Sequence, residues 1–245
     1  GSIKDEMIEL AALKMDLRLD FEEEEAPEGW RYAVVDLGGK SLSQGGRVKN
    51  IIQIEPLEYT WLQTTDGFIY YCVGATTTED GYIRFTPEVF QTQQLRFLVP
   101  AADKDLALGI RIQNKVYTLP LSPDFSLKLA KALASHRDGK TMEIRLFGAR
   151  REGDEIILDL GIQSLVGSGI EIQTSPQFML EAEGEKIEFD EAATAELLRR
   201  PPEPFIVPPQ TFIRFELAYD TAAAPAALHY RGYESEGKLP LPGLK

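Results

Sequence analysis

A chain of 245 residues with 43% hydrophobic residues holds enough apolar material for two globular cores of about 100–130 residues each. Its formal net charge of −13 excludes a nucleic-acid partner, which would need clustered Lys and Arg facing phosphates. The single cysteine, Cys72, excludes an intramolecular disulfide and a thiolate-rich metal site, and no apolar run reaches the ~18 residues of a membrane span.

Taken in order, Gly1-Ser2 reads as a cloning remnant, so the expectation is the mature part of a longer, exported precursor. Residues 8–13 form a short apolar lead-in, and Met15-Asp16-Leu17-Arg18-Leu19 alternates with the period of a half-buried strand. Four consecutive glutamates at 22–25, followed by Pro27 and Gly29, read as an exposed hairpin or loop; calcium binding needs spaced oxygens that converge, which consecutive residues do not supply. Strands follow at 30–37 and 48–54. Residues 59–63 and 68–73 flank Asp66-Gly67, the dipeptide of a tight hairpin. Residues 85–90 then lead into Leu95-Arg96-Phe97-Leu98-Val99-Pro100, Leu106-Ala107-Leu108-Gly109-Ile110 and Leu119-Pro120-Leu121.

Those last three pieces recur roughly 120 residues later as Ile213-Arg214-Phe215-Glu216-Leu217, Ala227-Leu228-His229-Tyr230 and Leu239-Pro240-Leu241. Earlier pieces recur in the same order. Met142-Glu143-Ile144-Arg145-Leu146 echoes the strand at Met15, Ser164-Leu165 echoes Ser41-Leu42, Gly169 echoes Gly46, Pro176 echoes Pro56, and Glu183-Gly184 echoes Asp66-Gly67. Collinear order with drifting spacing is what loop insertions between fixed strands produce. Between the copies, Asp124 is placed to cap a helix with Phe125, Leu129 and Leu133 on one face, ending at His136. The second copy departs most at 191–200, a helical insertion stopped by Pro201-Pro202; Pro204 opens an extended entry to the next strand, and the tail from Gly237 is Pro- and Gly-rich.

The combined pattern resembles the telokin-like, immunoglobulin-type sandwich domains of bacterial secreted proteins and lipoproteins of unknown function. The resemblance rests on residues 32–42, Asp66-Gly67, 95–100 and 106–110, and in the second copy on 156–165, Gly184, 213–217 and 227–230, where the Val-Pro ending is missing. It implies an extracytoplasmic location and a binding or scaffolding role, and it carries no catalytic residues to transfer.

The chemistry-bearing residues agree with that restraint. His136 and His229 are the two histidines, and neither sits in a nucleophile-elbow or metal-ligand context. Gly38-Gly39 and Gly45-Gly46 open no helix that could cradle phosphate, and Cys72 in a strand pattern reads as a small buried hydrophobe. The expectation is no enzyme activity, no cofactor and no metal. Aromatic residues concentrate in the first half. Trp30, Tyr59, Trp61 and Tyr70 are the candidate ligand-binding residues, because exposed rings stack on sugar faces or anchor a protein partner. Sandwich cores use the same rings, which is the competing expectation. Tyr70 and Tyr71 are adjacent on one strand, so one of them is expected to face outward.

The sequence therefore predicts an all-β protein of two tandem immunoglobulin-like, Greek-key β-sandwich domains at 8–122 and 138–245, joined by a short helical connector at 123–137. Its expected role is a non-enzymatic, extracytoplasmic interaction or scaffolding protein with a protein or glycan partner. The alternatives are a carbohydrate-binding module using the first-domain aromatics, or an accessory region of a larger surface protein or enzyme.

Overall fold

The computed structural model describes every residue except 23, 43, 46, 47, 50, 88, 174–176, 203, 204 and 242–245, with the backbone alone at 44, 45, 48 and 49. The expectations placed on Gly46, Pro176, Pro204 and the end of the tail lie outside the described residues. By their contacts the residues separate into two compact units. One is Gly1–Thr65 with Ile69–Leu127; the other is Lys128–Lys245 with the three hairpin residues Asp66–Phe68.

The first unit has ten principal strands: β1 (Ser2–Lys4), β2 (Ile8–Arg18), β3 (Trp30–Ser41), β4 (Ile52–Ile54), β5 (Thr60–Thr64), β6 (Ile69–Ala75), β7 (Ile83–Phe85), β8 (Gln91–Pro100), β9 (Leu106–Ile112) and β10 (Lys115–Pro120). They pair antiparallel in the order β1-β2-β3-β8-β6-β5-β9-β10, with β4 and β7 as a separate ribbon. Strand β6 belongs to both halves of this sheet. Its residues 69–71 pair with β5, and from Cys72 it pairs with β8, the change falling at a bulge between Cys72 and Gly74. Bulges are the usual means by which a strand turns a sandwich corner. Burial pushes the Cys72 thiol up, and its Sγ donates to Gly74 O at 3.1 Å, so the lone cysteine is an inert core residue as its strand context implied.

The second unit also has ten: β11 (Ala134–Asp138), β12 (Met142–Glu152), β13 (Glu155–Ser164), β14 (Ile170–Glu171), β15 (Phe178–Ala182), β16 (Glu185–Glu188), β17 (Ile206–Val207), β18 (Phe212–Asp220), β19 (Pro225–Arg231) and β20 (Glu236–Pro240). One sheet runs β11-β12-β13-β18, a second β16-β15-β19-β20, and β14 pairs with β17. The two larger sheets face each other through Phe178 and Phe215, whose rings meet edge-on at 6.1 Å, and through Tyr230, which donates to Met142 Sδ at 3.3 Å. The chain is all-β, and the second unit is a sandwich in the plain sense.

Register ties the two units to one pairing scheme. Leu108 stands opposite Leu119 and Leu62, as Leu228 stands opposite Leu239 and Leu180. Ile8 pairs with Ser41 and Met142 with Ser164, and Leu42 N bonds Met7 O as Leu165 N bonds Thr141 O. Strand β2 has a bulge between Ala12 and Lys14, and β12 has one between Leu146 and Gly148.

This register shifts two expected matches. Met142 occupies the position of Ile8, not of Met15, because burial rather than residue likeness decides which part of a strand enters the core. Ile8, Leu10, Met142 and Ile144 are fully buried, whereas Leu17 and Leu19 are exposed. Likewise Leu95 faces Val35 and Leu217 faces Leu158, so Leu217 rather than Ile213 holds the place of Leu95.

The helical connector expected at 123–137 does not form. Residues 125–132 carry no regular element and Ala134–Asp138 is strand β11. Its ladder to β12 runs from Ala134↔Leu146 to Asp138↔Met142, preceded by Leu133 N to Leu146 O. An isolated helix of about ten residues is marginal in water, and pairing to β12 draws residues 133–138 into a strand, which leaves too few residues before it for a stable helix. His136, expected at a helix end, is instead a strand residue whose Nε2 meets Ser235 Oγ at 2.9 Å.

Each unit fastens its first strand to its last through an aspartate. At the end of β1, Asp5 accepts from Ile8 N, Met7 N, the Tyr117 hydroxyl and Lys115 of β10. At the end of β11, buried Asp138 accepts from Tyr233 N at 2.6 Å, Glu234 N at 2.9 Å and the Ser235 hydroxyl at 3.0 Å, just before β20. Gly232 permits this approach, since a Cβ there would lie 2.1 Å from Asp138 Oδ2. Partial burial works to raise the Asp5 carboxyl, but the two amides, the hydroxyl and the ammonium outweigh it and hold the group well below the usual carboxylate range. A depressed folded-state value stabilises above the ordinary carboxylate pKa of about 3.9 and is lost as pH falls through the folded value. Urea unfolding of the native protein and Asp5→Asn should therefore differ by a constant amount above about pH 5. The difference should shrink progressively below about pH 4.

Candidate functional site

The four aromatic candidates do not form one surface. Trp61, on β5, is 2% exposed, and its indole lies over Gly109 of β9, where a Cβ would fall 2.2 Å from the ring. Tyr71 sits beside it at 6.3 Å. Tyr70 is 8% exposed, meets half-buried Trp30 edge-on at 6.0 Å, and donates to Asp103 Oδ2 at 3.1 Å. Tyr59 is half-buried beneath the Arg111 guanidinium, 5.5 Å from its ring centroid. The expected ring platform is thus corrected to a Trp30–Tyr70 pair and a separate Tyr59, with Trp61 withdrawn into the core. Tyr71 is buried as well as Tyr70, contrary to the expectation that one would face outward, because β6 is covered on both faces from Ile69 to Cys72.

A further recess lies in the second unit, built by the segment that follows β16. In the first unit β6 pairs the edge of β8; in the second, β16 pairs only β15, which leaves the β18 edge to be covered otherwise. The chain after β16 covers it. Asp190 N bonds Ala218 O, Ala218 N donates to the Thr194 hydroxyl at 3.0 Å, and Glu216 N bonds Arg199 O at 2.7 Å. Thr194 belongs to a short helix, α1 (Glu191–Glu196), whose cap Asp190 accepts from Ala193 N at 2.9 Å. This single turn and a half is held to β18 by backbone bonds that an edge strand would otherwise make.

Between α1 and the following prolines a cavity of about 250 Å³ opens. Phe189, Pro201, Pro202 and Phe205 form apolar walls, with Glu191, Thr194 and Arg200 supplying polar groups. Arg200 is steadied by donating to Ala195 O at 2.9 Å, and Phe205 is fixed edge-on against core Phe215 at 4.7 Å. A mostly apolar recess with a few oriented polar groups on a rigid support is the general form of a binding pocket. Its sequence signal was the helix stopped by Pro201-Pro202 between two phenylalanines, but nothing in sequence spacing says that the stop leaves a hollow.

A second polar cluster lies on β15, β19 and β20. Glu181 accepts from Lys238 at 2.6 Å and from His229, and these two partners, Lys238 first, push its carboxyl down to about 2. The adjoining recess of about 150 Å³ is lined by Met179, Lys186, His229 and Arg231. Glu181 and His229 are half-buried and Lys238 is exposed, so these polar groups are satisfied by one another across the sheet face.

No family model matches the chain, and no curated protein matches it. The crystal structure of an uncharacterized beta-sandwich protein from Clostridium difficile 630 is similar at 12% identity and a TM-score of 0.33, over 50% of this chain and 90% of that one. No helix is long and apolar enough to cross a membrane among the described residues.

Trp61 packing against Gly109 gives a direct test of its burial. Gly109→Ala should cost about 1–3 kcal/mol in denaturant unfolding, the range for overpacking a filled core, with the blue-shifted emission of a buried indole lost only on unfolding.

Proposed function

We propose that this chain is a non-enzymatic, extracytoplasmic binding protein made of two copies of one immunoglobulin-like sandwich. In this reading the second copy is specialised for a protein partner by its insertion. The duplication is supported by the shared register and by bulges at matching points of β2 and β12. The immunoglobulin-like assignment is supported by strand order: a hairpin β12-β13 beside β18 opposes β16-β15-β19-β20, the pattern of sandwiches whose neighbouring strands cross between sheets. The extracytoplasmic location is supported by the resemblance to secreted sandwich domains.

The observation that carries the binding role is the cavity between α1 and Pro201-Pro202. At about 250 Å³ it falls below the size of common small-molecule pockets and suits one large apolar side chain of a protein segment. Arg200 at its wall adds hydrogen-bond donors for a partner carbonyl or carboxylate.

Ala195 is exposed on α1 and lines the recess, so Ala195→Trp should fill it without disturbing the core. Peptides selected by phage display against the native protein should lose at least tenfold in affinity for Ala195→Trp and bind Trp30→Ala unchanged. Selected peptides indifferent to Ala195→Trp, or turnover in a broad hydrolase screen, would contradict the proposal.

A further inference from the structure

Strand β2 outruns its outer neighbour. On its inner side β3 pairs it from Ile8↔Ser41 to Arg18↔Tyr32. On its outer side β1 pairs only Glu9, Leu10 and Ala11, with one further bond from Ala12 N to Gly1 O. Among the described residues no strand pairs the outer edge beyond Ala12. That stretch is also uncovered, with Leu13 54%, Leu17 38% and Leu19 76% exposed. An exposed edge with apolar side chains is a template for another strand.

The side chains along it are arranged for one particular partner. Met15 and Leu17 stand opposite Val35 and Ala33 and share their face of the sheet, and Lys14, Asp16 and Arg18 point to the other face. Within the strand, Asp16 already accepts from Lys14 at 2.6 Å and Arg18 at 3.2 Å. If Asp16, Leu17 and Arg18 meet an inverted copy of themselves with Leu17 opposite Leu17, each facing pair is matched. Asp16 faces Arg18 of the second copy on both sides of the Leu17 pair; the match stops there, because Leu19 is a bend and Asp20 pairs with Glu25 in its own hairpin. Opposite charges and apolar pairs directly across an antiparallel ladder each stabilise it.

We propose that residues 16–18 of two copies pair antiparallel about a two-fold axis at Leu17, joining the β2 edges of two molecules into one continuous sheet. The interface is isologous, so it closes at a dimer and does not propagate. One short strand pair buries less than the ~1,200 Å² of a standard interface, so the dimer is weak, with a dissociation constant of about 10–100 µM.

Sedimentation equilibrium of the whole chain over that concentration range tests the proposal. Amide exchange at the two concentration extremes is the companion measurement, read at those amides of residues 14–18 that point away from β3, since the alternate ones are bonded to β3. The native protein should dimerise, and the outward-pointing amides should gain protection only at high concentration. Asp16→Arg places Arg opposite Arg18 of the second copy and should weaken the dimer at least tenfold. The double swap Asp16→Arg with Arg18→Asp restores opposite charges in this register and should restore the dimer. Because these side chains are at the surface, circular dichroism should be the same for all variants. A monomer throughout the range overturns the proposal, as does a dimer indifferent to Asp16→Arg or not rescued by the swap. Outward-pointing amides of residues 14–18 protected in the monomer would assign the edge to another segment of the same chain and overturn it as well.

Discussion

The structure depends on how a sandwich disposes of its first strand. A short first strand at a sheet margin has few backbone bonds, and its neighbour across the sandwich is the last strand of the unit, far away in sequence. In both units a carboxylate at the end of the first strand spans this gap: Asp5 reaches the Tyr117 hydroxyl and Lys115, and Asp138 reaches the amides of Tyr233 and Glu234. The chemistry differs while the position is kept. Asp138 is buried and reaches across to the amides of an exposed turn, whereas Asp5 is partly open and reaches across to side chains of the last strand. Hydrogen bonds to a charged acceptor are about twice as strong as neutral ones, so a single aspartate can hold a margin that a three- or five-residue strand cannot hold alone.

A second consequence concerns the margins that pairing leaves open. In the first unit β6 crosses to β8 through the Cys72–Gly74 bulge and covers its edge. In the second, β16 stays with β15, and Asp190, Thr194 and Arg199 supply the missing backbone partners to β18. This segment thus has a structural role before any ligand is considered. The recess beside it follows from that role: a one-turn helix and a proline pair cannot fill the volume a paired strand would, and Phe189 and Phe205 are left lining the remainder.

Much of this was legible in the sequence. The period-two runs located most strands, Asp66-Gly67 and Glu183-Gly184 marked real hairpins, and the Leu108/Leu119 and Leu228/Leu239 correspondence survives as paired register. Four features were not legible, each for a physical reason. The apolar spacing at Phe125, Leu129 and Leu133 describes a helix face equally well whether or not a strand partner is present, and β12 was present. The likeness of Met15 to Met142 compared two amphipathic stretches without knowing which was buried. The ring set around Trp61 gave composition but not depth, and depth was decided by Gly109, a residue with no side chain to notice. The aspartates at 5 and 138 carry no local signal at all, since their partners lie about a hundred residues away in the chain.

The claim that a buried carboxylate closes the second unit is most directly tested by native-state hydrogen exchange at the amides of Tyr233 and Glu234. These lie in a turn between β19 and β20, where an amide bonded only to water exchanges freely. The account predicts protection approaching that of the β19 amides, because both donate to Asp138. Fast, loop-like exchange at these two positions, with β19 still protected, would contradict it.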